Sequence, residues 1–367
     1  MFDDIRPFRD DEAPLIAKKL VNEPALQHSL AAYVTPKLYK AFPKLTCLTV
    51  KLYLAWRLKR VNNILQFQTE IAKYLHQLIK KSTDGFSFDG LGKLDMTKPT
   101  LFISNHRDIA LDPALVNLAL YKSGAETVEI AIGDNLLSKP WVSDLMRLNK
   151  SFIVKRGAKT KREMLTNSKN LSAYIHHTLT DNAQNIWIAQ REGRAKDGLD
   201  KTNAALISML LLNKPKEQSI EQYIEQLNIV PVSISYEFDP CDSSKAIELA
   251  TIEETGEYKK EANEDINSIT QGLLGHKGRV HIEFGDVLAG EFADSKAIAA
   301  EVDRQIIKNY RLYDSNIAAK AQLENSSDDS NVFNLFNDRM QNLTEAQQRW
   351  LLTMYANPAF AKENMTN

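Results

Sequence analysis

Cysteine is nearly absent. Cys47 and Cys241 are the whole complement of a 367-residue chain, too few for a disulfide framework or a multi-thiolate zinc site, so a reducing cytoplasm is the expected setting. Glycine (14) and proline (12) are also sparse, which excludes fibrous and low-complexity classes. No apolar run reaches the ~18 residues of a membrane span. Leu45–Leu58 comes closest and is broken by Lys51 and Arg57. The opening MFDDIRPFRDDE has no apolar segment and does not read as a secretory signal. Neither sign of charge dominates: 46 Lys and Arg against 47 Asp and Glu give a net charge of -1, so any pull toward an anionic partner must be local. What is present is an ordinary folded composition, 43% hydrophobic and 25% charged, with length for about two to three cores or one large core with additions.

The hydrophobic spacing changes along the chain. Ala13–Leu20, Leu26–Tyr33, Lys44–Leu58 and Ile64–Ile79 carry apolar residues at helical intervals, punctuated by Pro24, Pro36 and Pro43. The Gly-, Asp- and Ser-bearing run KSTDGFSFDGLGKLD then reads as a boundary. Short apolar runs at Leu101–Ser104, Val128–Ile132, Phe152–Val154, Ile186–Ala189, Val230–Tyr236 and Val280–Phe284 read as strands. Helical segments lie between them at Ala114–Leu120, Leu136–Leu148, Lys161–Leu179, Asn203–Leu212 and Ile220–Leu227. Helical patterning returns at Ser295–Tyr313 and Glu345–Tyr355, around a polar loop or linker, ENSSDDSN. The expected fold is α/β, a central mixed sheet flanked by helices with helical N-terminal and C-terminal additions. Its expected parts are a helical region over 1–90, a candidate for membrane association, an α/β domain over 91–290 and a helical region over 291–367.

Between Glu23 and Glu70 there is no acidic residue, while Lys37, Lys40, Lys44, Lys51, Arg57, Lys59 and Arg60 alternate with Tyr33, Tyr39, Phe42, Tyr53 and Trp56. Lysine stems and aromatic rings suit a headgroup boundary, so an anionic membrane surface is the preferred partner. A core helix with a solvated basic face is the plainer reading, and single-stranded nucleic acid stacked on the rings a third.

Four runs carry chemistry. In LFISNHRDIALDPAL a strand ends at Ser104 and His106 follows in the turn, with Asp108 and Asp112 close behind. A histidine there with a carboxylate partner is a general base with an orienting group. Asp112-Pro113 also reads as a helix cap, which requires no catalysis. In SFIVKRG a strand empties into Lys155 and Arg156, suited to a phosphate or anionic headgroup. In NIWIAQREGRAKDG a strand empties into Arg191, Glu192, Gly193 and Arg194: the arginines offer bidentate donors to a phosphate, Glu192 would hold one of them in position, and glycine permits close backbone approach. In IVPVSISYE, Pro231 points to an edge or bulge position lining a groove, or to simple core.

In that order the four runs resemble the signature blocks of the glycerol-phosphate and lysophosphatidic acid acyltransferase superfamily, over roughly the central third of the chain. The blocks correspond to Asn105–Asp112, Phe152–Arg156, Gln190–Arg194 and Ile229–Tyr236. Two departures stand out. Five residues separate His106 from Asp112 where the family pattern has four, so Leu111 occupies the family's aspartate position. Either Asp112 reaches the imidazole across a longer turn, or Asp108 serves, or the dyad is degraded. The third block also keeps Glu192, Gly193 and Arg194 but lacks the family's Phe-Pro.

The resemblance implies an acyltransferase that moves a fatty acyl group from a thioester, on acyl-CoA or acyl carrier protein, to the hydroxyl of a lysophospholipid such as 1-acylglycerol-3-phosphate. His106 and Asp112 would be catalytic; Lys155, Arg156, Arg191, Glu192, Gly193 and Arg194 would bind substrate. Glycerol-3-phosphate or an amino-acid lysolipid as acceptor, or a non-catalytic lipid-binding scaffold, are the alternatives. No cofactor, metal or nucleic acid is expected, and the location would be peripheral on the cytoplasmic face of the membrane. His176, His177, His276 and His281 lack metal-ligand spacing. No nearby acid is expected for the helical pair His176 and His177.

Overall fold

The computed structural model describes residues 2–137, 139–261, 264–324 and 329–366. In chain order, α1 (Ala13–Val21), α2 (Pro24–Val34), α3 (Pro36–Ala41), α4 (Pro43–Leu58) and α5 (Ile64–Ser82) come first. Then follow β1 (Gly85–Asp89), β2 (Leu101–Ser104), α6 (Leu111–Lys122), β3 (Val128–Gly133), α7 (Pro140–Leu148), β4 (Ser151–Val154), α8 (Lys161–Thr180) and β5 (Asn185–Ala189). Next are α9 (Ala204–Leu210), α10 (Ile220–Leu227), β6 (Ile229–Tyr236), α11 (Asp242–Thr255), α12 (Glu264–Leu274) and β7 (Arg279–Phe284). The chain closes with α13 (Ser295–Asn309), α14 (Asp314–Leu323), α15 (Asp329–Met340) and α16 (Glu345–Thr366). Helices and a mixed sheet make this an α/β fold with helical additions at both ends, as the hydrophobic spacing predicts.

Residues 1–76 with 129–170 form one compact unit, and 77–128 with 171–367 another. In the first, Pro24, Pro36 and Pro43 each open a helix, where the missing N–H costs nothing and φ is already helical. Ala13, Ala17, Leu20, Leu26, Val61, Ile64, Phe67 and Leu148 bury one face of this bundle. β3 and β4 pair in parallel, and Ile153 N–H donates to Ile5 C=O at 2.8 Å, so the N-terminal segment covers part of the β4 edge.

In the second unit β2 lies between β5 and β6 and is parallel to both; β6 pairs antiparallel with β7, and β7 parallel with β1. All four residues of β2 are buried, as expected of a parallel strand covered on both faces. Ser104 is level with Ala189 and Val232, so the chain leaving β2 and the chain leaving β5 emerge on one rim. β6 continues four residues further, to Tyr236, beside the loop that follows β2. Behind it, α11, α14, α15 and α16 share a core of Phe336, Leu351, Leu352, Met354 and Tyr355.

Several expectations change. Pro231 is not on an edge: β6 is paired on both sides, and the missing N–H falls at the last rung of the β7 ladder, where Pro231 C=O accepts from Gly285 N–H at 2.8 Å. The run read as a boundary contains β1, five residues long and flanked by turn formers that mask its alternation. The span expected as one helix from Ser295 to Tyr313 ends at Asn309, because Tyr310 is extended. The helix expected from Leu136 begins at Pro140. Of the ENSSDDSN run, 325–328 lie outside the described residues and Asp329 onward is helical.

Candidate functional site

The loop after β2 folds around its own carboxylates. Asp108 Oδ1 accepts the N–H groups of Ala110 and Leu111 at 2.9 and 2.8 Å, so Asp108, not Asp112, caps α6. Asp112 is thereby released for a different task. Its Oδ2 accepts from His106 Nδ1 at 2.9 Å, from Arg107 N–H at 2.6 Å and from Asp108 N–H at 2.9 Å; its Oδ1 accepts from Tyr236 Oη at 2.8 Å. The longer turn therefore still brings Asp112 to the imidazole.

That bond sets the tautomer: Nδ1 carries the proton and Nε2 is left as the basic nitrogen. Nε2 has no partner among the described residues, and the side chain keeps 14% exposure, so a substrate can reach the ring. Trp187 stands edge-on to the imidazole at 6.0 Å, with its indole N–H donated to Ser104 Oγ at 3.0 Å. Asp112 is fully buried, so no solvent competes for its lone pairs.

A second layer holds this loop. Asn105 bridges β2 to β6, its Oδ1 accepting from Ile234 N–H at 2.8 Å and its Nδ2 donating to Ile234 C=O at 3.0 Å. Arg107 is buried; its guanidinium donates to Asp200 Oδ2 at 2.6 Å and to Gly198 C=O at 3.2 Å, beneath the Tyr310 ring. Lys245 Nζ donates to Arg107 C=O at 2.8 Å and pairs with Asp239. Burial opposes ionisation of Asp239, but Lys245 prevails and holds its pKa below the usual range. Asp108 makes no salt bridge among the described residues. Burial, then the charge of Asp112, raises its pKa to about 6. Burial and the same carboxylates push the Tyr236 phenol well up, so it remains a donor.

The other candidate residues are distributed as follows. Ala195 N–H donates to His106 C=O at 2.8 Å, which ties the Arg-Glu-Gly-Arg turn to the histidine loop. Arg194 donates to Ser268 Oγ at 3.4 Å. Arg191 and Glu192 line a cleft of about 620 Å³ with Lys201, Lys296 and Asp303. Gly193 sits at φ +74°, and a Cβ added there would meet nothing within 4 Å, so within the protein the turn needs glycine for its left-handed backbone. In the first unit, Lys155 pairs with Asp4, and Arg156 lies beside Asp134 and Asn135, its backbone N–H donating to the Asp134 carboxylate at 3.2 Å and its guanidinium to Asn135 Oδ1 at 3.3 Å.

Sequence reasoning missed Arg107, Asp200 and Tyr236. A charged residue directly after the histidine and a tyrosine closing an apolar strand were the available signals. It also missed an acid beside His177, whose Nδ1 lies 2.5 Å from Asp181 Oδ2, one helical turn on. His176 stacks on Tyr223.

Residues 85–235 match the family model described as Acyltransferase. The crystal structure of the 1-acyl-sn-glycerophosphate (LPA) acyltransferase PlsC from Thermotoga maritima is similar at 13% identity and a TM-score of 0.38, covering 80% of this chain and 94% of that one. No curated protein matches the chain.

Proposed function

We propose that the chain, whose residues 85–235 match the family model described as Acyltransferase, acylates the hydroxyl of a lysophospholipid such as 1-acylglycerol-3-phosphate. The donor in this reading is a fatty acyl thioester, acyl-CoA or acyl carrier protein. The observation that carries it is the 2.9 Å bond from His106 Nδ1 to a buried carboxylate, with Nε2 left free at a strand rim.

The chemistry follows from that geometry. Nε2 takes the hydroxyl proton as the acceptor oxygen attacks the thioester carbonyl, and Asp112 stabilises the imidazolium that forms. The new C–O bond forms, the C–S bond breaks, and the imidazolium returns its proton to the departing thiolate. No enzyme nucleophile is required, because the thioester is already activated. Arg194, whose turn is bonded to the histidine loop, is the cation we assign to the acceptor's phosphate; orienting that group lowers the barrier by holding the hydroxyl near the carbonyl. A displaced aspartate would have favoured a non-catalytic scaffold, but Asp112 reaches the ring, which supports the enzymatic reading.

We further assign the exposed face of α2, α3 and α4 to an anionic bilayer. Val34, Phe42, Leu52 and Trp56 are more than half exposed there, beside the exposed Lys37, Lys40, Lys44 and Lys59. Arg57 is excluded from that basic set: it pairs with Glu70 at 2.5 Å and lies over the Trp56 and Tyr74 rings. No helix among the described residues is long and apolar enough to cross a membrane.

The decisive test incubates purified protein with labelled acyl-CoA or acyl carrier protein and a panel of lysophosphatidic acid, glycerol-3-phosphate and an amino-acid lysolipid. Acylated lysophosphatidic acid is expected from wild type, and His106→Ala should lose about 10²–10⁴-fold in kcat. Equal turnover by both proteins would remove His106 as the base.

A further inference from the structure

The carboxylate beside His106 has more acid company than basic. Arg107 and Asp108 face it from its own loop, Asp200 from the loop after β5, Asp239 from the turn after β6, and Lys245 from α11. Burial among other carboxylates favours a neutral acid, the direction in which Asp108 is shifted. Donors occupy the lone pairs of Asp112. Oδ2 has three. Oδ1 has one among the described residues, the Tyr236 hydroxyl at 2.8 Å, and Asp112 has no exposure through which water could replace it.

We propose that Tyr236 is a positioning residue that sets the proton affinity of the His106–Asp112 pair. It lies one residue beyond the stretch that matches the acyltransferase family, on the part of β6 that outruns β2. Its phenol donates to Oδ1, withdraws electron density from the carboxylate, and fixes the plane in which Oδ2 meets Nδ1. Without that donor the carboxylate is a stronger base, the imidazole holds its proton more tightly, and a larger fraction of His106 is unable to act as a base at neutral pH. The role rests on the acyl-transfer reading for its consequence in catalysis, but not for its effect on the histidine.

The test is the NMR titration of the His106 ring together with the pH profile of kcat/KM. Tyr236→Phe should raise both the titration midpoint and the acid limb by about one pH unit, the worth of a lost hydrogen bond to a charged group. Acceptor KM should stay near wild type. Site-specific 3-fluorotyrosine at 236 keeps the ring's shape and is a stronger donor, so it should move both in the opposite direction, which separates positioning from packing. An unmoved titration in both variants overturns the proposal, even if the enzyme is active. Shifts as expected in a protein that acylates nothing in the panel would uphold the positioning role and overturn the acyl-transfer reading.

Discussion

Asp108, in the loop after β2, and Asp112, in the first turn of α6, sit four residues apart, and their partners give them different fates. Asp112 gathers four donors and orients a histidine, while Asp108 caps a helix and faces Gly272, where an added Cβ would lie 2.0 Å from its Oδ2. With its pKa raised from 3.8 to about 6, Asp108 binds a proton more tightly folded than unfolded. Its contribution therefore favours folding below about pH 4 and is lost as the pH rises through 6, a change on the order of 3 kcal/mol. Asp108→Asn keeps an acceptor for Ala110 and Leu111 but does not titrate. Denaturant unfolding at intervals between pH 4 and 7 should show the variant gaining on wild type by about that amount. A constant difference across the range would mean that Asp108 is not protonated in the native state near pH 5. At this scale the sequence identified the acids but left open which one serves the histidine. That choice depends on a turn that bends the chain back so that three groups converge on one oxygen, and spacing alone does not describe such a turn.

Among the elements, α16 lies outside both the family match and the blocks that resemble it, yet it is joined to the site. Asn357 Nδ2 donates to Asp197 C=O at 2.7 Å, and Gly198 packs so closely on α16 that a Cβ would lie 2.0 Å from Met354 C=O. Gly198 is at φ +79°, and its own carbonyl accepts from Arg107. Gly198→Ala should therefore cost about 1–3 kcal/mol through the strained backbone and the clash. It should also lower kcat, because the carbonyl that holds Arg107 must move. Asn357→Ala, which loses one hydrogen bond, should cost about 1 kcal/mol and affect kcat less. Thermal melts with parallel assays check both; full activity in a destabilised Gly198→Ala would detach α16 from the site. The helices themselves were legible wherever an apolar stripe and a proline at the first turn coincided, as in α2 and α4. β1 was not, since five alternating residues between turn formers look like a turn until β7 is beside them.

For the molecule as a whole, the near-zero net charge hides a concentration of cations between Glu23 and Glu70. The proposed membrane face should consequently bind vesicles containing anionic lipid and not neutral ones, with each free lysine contributing roughly 1 kcal/mol. Flotation should weaken as salt rises toward about 0.5 M and the Debye length contracts. It should also weaken when Lys37, Lys40, Lys44 and Lys59 are changed to Glu, whereas Arg57→Gln, a group already paired, should change it less. Flotation that survives both salt and charge reversal would return the patch to an ordinary solvated face.

The amino-acid sequence by itself determined the alternation of helices and strands, the strand ends from which the histidine and arginines emerge, and the four ordered blocks, because these depend on local periodicity and on neighbours in the chain. The tertiary structure decided that Asp112 is the partner of His106, that Pro231 can lie inside a sheet, and that Tyr236, Asp200 and the C-terminal helix stand behind the site. The first depends on how one turn bends back on itself, the others on contacts between residues far apart along the chain, and all draw their strength from burial, which exists only once the strands and helices have closed around them.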